Sequence, residues 1–414
     1  MVVNYNGGEL TLRCLRSLGT VEWPSAALEV VLVDNASTDG LADAVAEELP
    51  DVRVVRSPVN RGFAGGCNLG MRDLEGVDYV ALLNPDATVE RGWLTPLVDA
   101  LEADTTAGAA CSKILFDPSF VEVAIDAPTF RPGRGDRREL GVRVSGAQVD
   151  GRDMSRQLQL VRGFWGPEHG DGDEPAFQWS SAHALLRVPV PRDGDLPSEC
   201  QLRLAAESPK VVTLSAGVDA RAAVEVGVAP RWYGAPLGGD RLDVVNNVGS
   251  DLRADGHGAD RGYLEADRGQ YDAAADVFAW CGASVLLSTR YLTSVGLFDE
   301  RLFLYYEDFD LSWKGHFRGW RYRYVPASVV RHVHSAIADE RSATTHYYKE
   351  RNRLLTLAHH APAKMAARAV VSHLLVTASY ARRDVLSPVL HRQRPRNVRR
   401  CLRTHAPVRS VSTA

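Results

Sequence analysis

Little in this chain would staple it, load it with zinc or anchor it. Six cysteines (Cys14, Cys67, Cys111, Cys200, Cys281, Cys401) are scattered through 414 residues with no CxxC pair. That argues against a structural zinc site and a disulfide framework, and it fits a reducing, cytoplasmic compartment. No apolar run is long enough to cross a bilayer: the best stretch, 366–381, is broken by Arg368 and His373. No secretory leader is visible, because Met1-Val2-Val3 runs straight into Asn4-Tyr5-Asn6. That first strand looks cut short, so a start further upstream is expected. Lysine is scarce beside arginine, which reflects genome composition and says nothing about function.

Net charge is also small, at −4, but it is unevenly spread. From Arg382 onward nine arginines face one acid, Asp384, leaving the tail at about +8 and the rest at about −12. A mostly acidic body is a poor nucleic-acid surface, so no nucleic-acid partner is expected. With 45% apolar and 24% charged residues the chain reads as ordinary globular protein, long enough for two domains.

The first third alternates strand and helix. Apolar runs at 29–33, 52–55, 79–83 and 109–116 are separated by helical spacing at Leu10/Cys14/Leu15/Leu18, Leu41/Val45/Leu49, 64–74 and Trp93/Leu94/Leu97/Val98/Leu101. Such alternation predicts an α/β fold with right-handed crossovers and a mainly parallel sheet. The strand carboxyl ends then share one edge, which gathers Asn4, Asp34, Asn60 and Asp86 around one crevice. Between 117 and 243 the texture changes to short alternating runs broken by Gly, Pro and Asp, which predicts an inserted, sandwich-like β-domain. The α/β texture returns in 244–344, with strands expected at 322–326 and 328–331. A helical region with an Arg-rich tail follows in 345–414.

The chemistry-bearing residues cluster at the predicted crevice. Asn84-Pro85-Asp86 ends a buried strand in a carboxylate; it reads as a helix cap or as a ligand for a hard cation, Mg²⁺ or Mn²⁺. Asp34 with Asn35, Ser37 and Asp39 reads as a polar turn or a nucleotide contact. The glycines of 60–70, NRGFAGGCNLG, let backbone approach a ligand or simply turn into a helix. Glu307 and Asp308 lie among Tyr305, Tyr306 and Phe309, where partial desolvation would raise a carboxyl toward general-base range. His332 and His334 follow a strand, with their rings expected on opposite faces and one of them a candidate metal ligand. Trp165, Trp179, Trp232 and Tyr233 in the insert are core packing or sugar-stacking platforms.

Taken in order, NYNG, VDNASTDG, NRGFAGGCNLG, LLNPDA, WCGAS, GLFDERLFLYYEDFDLSWK and HVHS resemble glycosyltransferase family 2. The resemblance is nearest to the bacterial rhamnosyltransferase and galactofuranosyltransferase-like branch, over 1–116 and 244–355. It implies a GT-A nucleotide-binding fold and inversion at the anomeric carbon. Residue by residue, it implies a nucleotide-sugar pocket from Asn4, Asn6, Asp34, Asn35, Ser37, Asn60, Gly62, Gly66 and Asn84. It makes Asp86 the metal acid, with His332 or else His334 beside it, and Asp308 the base next to Glu307. Trp280 and Gly282 fall in the acceptor-side loop. NPD carries one carboxylate where the family's DXD-type pattern has two, so the other ligand must come from elsewhere.

The expected function is an inverting, metal-dependent transfer of a sugar, rhamnose first. The donor would be a dTDP- or UDP-linked sugar, and the acceptor a glycan or lipid-linked saccharide of the cell envelope. A nucleotidyltransferase is an alternative, needing a basic residue such as Arg13, Arg16, Arg56 or Arg61 at the phosphates and leaving the Asp308 region unexplained; a non-catalytic glycan-binding protein is another. Two readings stand for the tail: a solvated segment, or one lying on the anionic cytoplasmic face of a membrane with Val370, Leu374, Leu375 and Val376 as its apolar side. The insert is a candidate for acceptor binding or homo-oligomer contacts.

Overall fold

The computed structural model describes residues 1–24, 27–133, 135–168, 175–334 and 342–386, with backbone alone for 380–386. The Arg-rich segment from 387 lies outside the described residues.

The first part follows the expected alternation: β1 (Val2–Asn4), α1 (Gly8–Leu18), β2 (Val30–Asp34), α2 (Leu41–Glu48), β3 (Val52–Arg56), α3 (Gly62–Gly70), β4 (Tyr79–Leu83), β5 (Ala87–Val89), α4 (Thr95–Ala103) and β6 (Ala107–Phe116). The reasons are local. In α1, Leu12, Cys14, Leu15 and Leu18 repeat at helical spacing and are buried on one side. In β2 four successive residues are buried, as suits a strand covered on both faces. β1 pairs parallel with β2 and β4, and β2 with β3, in a register that sets Asn4 beside Asp34. The carboxyl ends of these strands therefore share an edge.

Nine strands intervene: β7 (Ser119–Asp126), β8 (Arg143–Val149), β9 (Arg152–Asp153), β10 (Gln159–Phe164), β11 (Gln178–Val190), β12 (Glu199–Ala205), β13 (Lys210–Ala216), β14 (Ala220–Val226) and β15 (Arg231–Pro236). All their pairings are antiparallel. The long β11 pairs with β7 over its second half and with β8 at its start, so it passes from one part of the sheet to the other. Alternate residues such as Val121, Val123 and Ile125 face a core separate from that of the α/β part. Trp179 packs edge-on against Phe130 and Phe177, and the Trp165 indole N–H donates to the Glu139 carbonyl. The Tyr233 hydroxyl accepts from the Gly227 amide, and Trp232 remains exposed.

The chain then returns through β16 (Val245–Asn247), β17 (Ser250–Leu252), β18 (Gly258–Asp260), β19 (Ala275–Val277), β20 (Ser284–Ser288), α5 (Thr289–Val295), α6 (Glu307–His316), β21 (Arg321–His332), α7 (Ala343–His360) and α8 (Ala363–Leu386). The main sheet runs β19-β21-β6-β20-β4-β1-β2-β3. It is parallel among β1, β2, β3 and β4 and mixed beyond them. β20 lies antiparallel between β4 and β6, and β21 runs parallel to β6. Two reversals cancel, so β21 ends at the same edge as β4. The two strands expected at 322–326 and 328–331 are one strand: Pro326 lacks an N–H, and the ladder with β6 slips between Val325 and Val329 without ending. Among the described residues no helix is long and apolar enough to cross a membrane.

A buried polar pin holds the three central strands in register. The Trp93 indole N–H donates to the Ser112 and Ser284 hydroxyls at 3.2 and 3.1 Å, and Ser328 donates to the Trp93 carbonyl at 2.8 Å. Ser112 sits on β6, Ser284 on β20 and Ser328 on β21. Trp93→Phe keeps an aromatic ring but removes the donor and part of the ring volume. It should cost about 1–3 kcal/mol, seen as a lower urea midpoint at unchanged slope; an unchanged midpoint would show that the pin carries no stability.

Candidate active site

One side of the crevice is built from short amides and carboxylates that hold one another. Asn4, fully buried, donates to the Ser37 hydroxyl at 3.0 Å and accepts from Thr11 and the Gly7 amide. Asp34 accepts from the Ser37 amide at 3.1 Å, and Asn6, in left-handed backbone, accepts from the Thr38 amide at 2.8 Å. Asn35 links two loops: its amide donates to Asn60 and to the Gly62 carbonyl, and its oxygen accepts from the Arg61 amide. Gly62 has φ +69, and a methyl there would overlap the Phe303 carbonyl. Gly66 abuts Val3, so at that position the missing side chain serves the packing of α3 on β1.

On the same edge Asp86 meets His332. The small strand β5 pairs antiparallel with β21 and puts Ala87 opposite His332. The Val333 amide donates to the Asp86 carbonyl at 3.0 Å, which closes the pairing. Asp86 Oδ1 and His332 Nε2 are then 3.0 Å apart, both about 6% exposed. The other ring nitrogen, Nδ1, lies 3.0 Å from Asn246 Oδ1, an oxygen that can only accept. With Nδ1 carrying its hydrogen toward Asn246, the Nε2 lone pair faces a carboxylate oxygen. An Nε2–H that donates to Asp86, with the Asn246 amide turned to donate to Nδ1, satisfies the contact, and so does a cation held between the two atoms. Burial opposes ionisation of Asp86, but the charge and hydrogen bond of His332, with help from backbone and His334, hold its carboxyl below the ordinary range. Asn84 adds its amide 3.4 Å from Nε2.

The two histidine rings do not point to opposite faces. His334 lies beyond β21 with φ +58, which breaks strand alternation, and its ring stands 5.5 Å from that of His332. His334 Nε2 instead lies 3.3 Å from the Tyr263 hydroxyl.

The third group is Asp308, on the first turn of α6. Its Oδ2 accepts from the Gly282 amide at 3.0 Å and its Oδ1 from the Phe309 amide at 2.7 Å. Ala283, next to Gly282, accepts from the Asn84 amide, so the acid sits by backbone connection next to the NPD turn. Burial pushes the Asp308 carboxyl up to about 6, with Asp260 adding to the rise and the Gly282 and Phe309 amides opposing it. Glu307 is raised well above the carboxylate range, by burial first and by the charge of Asp308 second. Its Oε2 has no hydrogen-bond partner among the described residues, consistent with a neutral acid. Trp280 is fully buried, edge-on to Phe298, so it supports the loop from below.

Two contributors escaped the sequence reading. Asn246 orients His332, and Asp260 faces Asp308 while its Oδ1 is held by Asn247 and Ser250. The available signal was the pair Asn246-Asn247 inside an otherwise apolar run. The four arginines of the early chain are all engaged: Arg13 with Asp117, Arg16 with Glu9 and Glu48, Arg56 with Asp43, and Arg61 with Glu300. A surface depression lined by Val77, Tyr79, Ser288 and Thr293 lies at the opposite edge of the sheet.

Residues 1–142 match the family model for Glycosyl transferase family 2, so the motif resemblance holds over that part of the chain. A curated relative, N-acetylglucosaminyl-diphospho-decaprenol L-rhamnosyltransferase of Mycobacterium tuberculosis, is 36% identical over 129 residues, 28% of this chain and 41% of the relative. The chain thus spans less than half the length of the curated relatives it matches. Among solved structures, GalNAc-T7 with UDP, GalNAc and Mn²⁺ is 14% identical over 86% of this chain and 46% of that one, with a TM-score of 0.43. Mannosyltransferase PcManGT from Pyrobaculum calidifontis, with GDP-Man and Mn²⁺, is 15% identical over 94% and 80%, with a TM-score of 0.41. Scores this low carry no argument; the fold rests on the strand order and registers above.

Asp308 binds its proton more tightly in the folded chain than in the unfolded one. Its contribution to stability is therefore complete at low pH and is lost as pH rises through about 6. Asp308→Asn should unfold at a higher temperature than the parent at pH 7.5, with the gap narrowing toward pH 4.5. A gap independent of pH would count against a desolvated carboxylate.

Proposed function

We propose that this protein is an inverting, metal-dependent glycosyltransferase that moves a sugar, rhamnose first, from a dTDP- or UDP-linked donor to a glycan or lipid-linked saccharide of the cell envelope. The family 2 match over residues 1–142 and the rhamnosyltransferase relative support the reaction class. The observation that carries the reading is the buried Asp86–His332 contact, joined through Ala283 and Gly282 to a carboxylate raised to about 6.

Asn4, Asp34, Asn35 and Asn60 would take the base and ribose of the donor. Asp86 Oδ1 and His332 Nε2 would hold Mg²⁺ or Mn²⁺, an ion that when bound offsets the charge of the leaving diphosphate. Asn246 fixes the His332 ring, and Nε2 would then be the atom offered to the ion. The acceptor hydroxyl gives its proton to Asp308 as its oxygen bonds to the anomeric carbon. The bond from that carbon to the diphosphate oxygen breaks, and the nucleoside diphosphate leaves with the electron pair. Attack from the face opposite the leaving group inverts configuration, through an oxocarbenium-like transition state. Asp308 is ionised at neutral pH yet more basic than an ordinary carboxylate. A neutral Glu307 beneath it spares the site a second negative charge.

The nucleotidyltransferase reading loses support because Arg13, Arg16, Arg56 and Arg61 all have acidic partners. On α8, Val370, Leu374, Leu375 and Val376 are exposed, which supports a chain lying on an anionic bilayer at its cytoplasmic face, with the Arg-rich segment adding charge.

Donor turnover should require Mg²⁺ or Mn²⁺, and its rate should fall with unit slope below about pH 6. Asp86→Ala and His332→Ala should abolish Mn²⁺ binding together with activity. Asn246→Ala should weaken Mn²⁺ binding by about 10–100-fold. Turnover that survives EDTA would overturn the metal assignment. Separately, the chain should co-sediment with vesicles of anionic lipid and lose this on Leu374→Glu/Leu375→Glu; equal recovery with zwitterionic vesicles would refute an electrostatic contribution.

A further inference from the structure

The turn before Asp308 is held in a costly shape. Phe303, Tyr305 and Tyr306 have φ of +65°, +70° and +70°, a left-handed region that non-glycine residues rarely occupy. Tyr306 is the cap residue of α6, and Glu307 and Asp308 follow it directly. Strained backbone of this kind persists only when its surroundings over-determine it.

The restraint comes from α7. Asn352 is fully buried, and its side-chain amide donates to the carbonyls of Leu302, Leu304 and Tyr305 at 2.7, 2.8 and 2.7 Å. Two N–H groups serve three oxygens, so one hydrogen is shared. Arg351 donates from Nε to Asn352 Oδ1 at 2.9 Å, which settles which end of the amide faces the loop. Its Nη2 donates to the Arg301 and Leu302 carbonyls at 2.6 and 2.9 Å. The Tyr348 ring stacks on Phe303 with centroids 5.2 Å apart. Asparagine is a poor choice inside a helix on its own account, and here its polar atoms are spent outside that helix.

The other side of the turn is fastened to the donor loop. The Ala64 amide donates to the Phe303 carbonyl at 3.3 Å, and Gly62 has no side chain where Phe303 passes. Asn68 exchanges two hydrogen bonds with the backbone of Phe298. At its far end α7 is tied to α6 itself, through His360 Nε2 and Asp310 Oδ1 at 2.8 Å.

We propose that Asn352, oriented by Arg351, is a positioning residue for the reaction. It holds 302–306 in the left-handed turn that presents Asp308 to Gly282, and through Phe303 it sets the same turn against the Gly62 loop of the donor pocket. This rests on the reading of Asp308 as the base.

Asn352→Asp is nearly isosteric but replaces the donor with a carboxylate facing three carbonyls. Arg351→Met, at a half-buried position, removes the orienting contact and the Nη2 bonds to the Arg301 and Leu302 carbonyls, and serves if the buried change impairs folding. The full chain is assayed for donor turnover, and amide hydrogen exchange is followed across 302–309. Asn352→Asp should lower kcat by about 10–100-fold with donor KM within about threefold. Its acid limb should move to lower pH as Asp308 becomes better solvated, with Glu307, Asp310, Asp260 and Cys281 as the titratable neighbours. Exchange at 302–309 should accelerate, and Arg351→Met should show smaller changes of the same sign. Unchanged kcat, acid limb and exchange in folded variants would overturn the proposal, as would a loss that merely tracks the unfolded fraction. Asp308→Asn distinguishes the two ideas: full turnover in that variant sinks the base assignment, whereas the exchange result still decides whether Asn352 holds the turn.

Discussion

A carboxylate and an imidazole 3.0 Å apart, both closed off from water, are the contact on which the crevice is built. The other ring nitrogen is fastened to Asn246, so the ring cannot turn freely. Much of the architecture can be read as what is needed to create that contact. Asp86 and His332 are 246 positions apart in the chain, and an entire β-domain lies between them.

Strand direction solves the problem. β20 enters the sheet antiparallel beside β4, and β6 and β21 then run with β4. The ends of β4 and β21 arrive at one edge, where the three-residue β5 fixes their register to a single residue. A slip of one position would turn the His332 ring to the other face. The serine and tryptophan pin across β6, β20 and β21 opposes such a slip from within the core. The insert leaves this frame undisturbed because its entry and exit are tied beside it. Phe120 and Leu242 exchange backbone hydrogen bonds, and Arg331, next to His332, pairs with Asp243 through two contacts of 2.6 and 2.7 Å.

The Asp308 side of the crevice rests on strain where the Asp86–His332 side rests on register. A left-handed turn, clamped between α3 and α7, delivers Asp308 into a place where burial raises its carboxyl and two amides keep it ionisable. The two devices meet at Gly282 and Ala283, one bonded to Asp308 and the other to Asn84.

Periodicity and composition by themselves determined the alternation of strand and helix, the gathering of Asn4, Asp34, Asn60 and Asp86 at strand ends, and the β texture between Phe116 and Val244. Those features are local: a buried strand must be apolar, and a polar residue that ends it has only the edge to face. The antiparallel entry of β20, the continuity of β21 past Pro326, the side-by-side histidine rings and the parts played by Asn246, Asp260 and Asn352 were decided by tertiary structure alone. Each depends on which segment packs against which. A polar side chain such as Asn352 reads as an ordinary helix residue until the carbonyls that it satisfies, nearly fifty positions earlier, are brought against it.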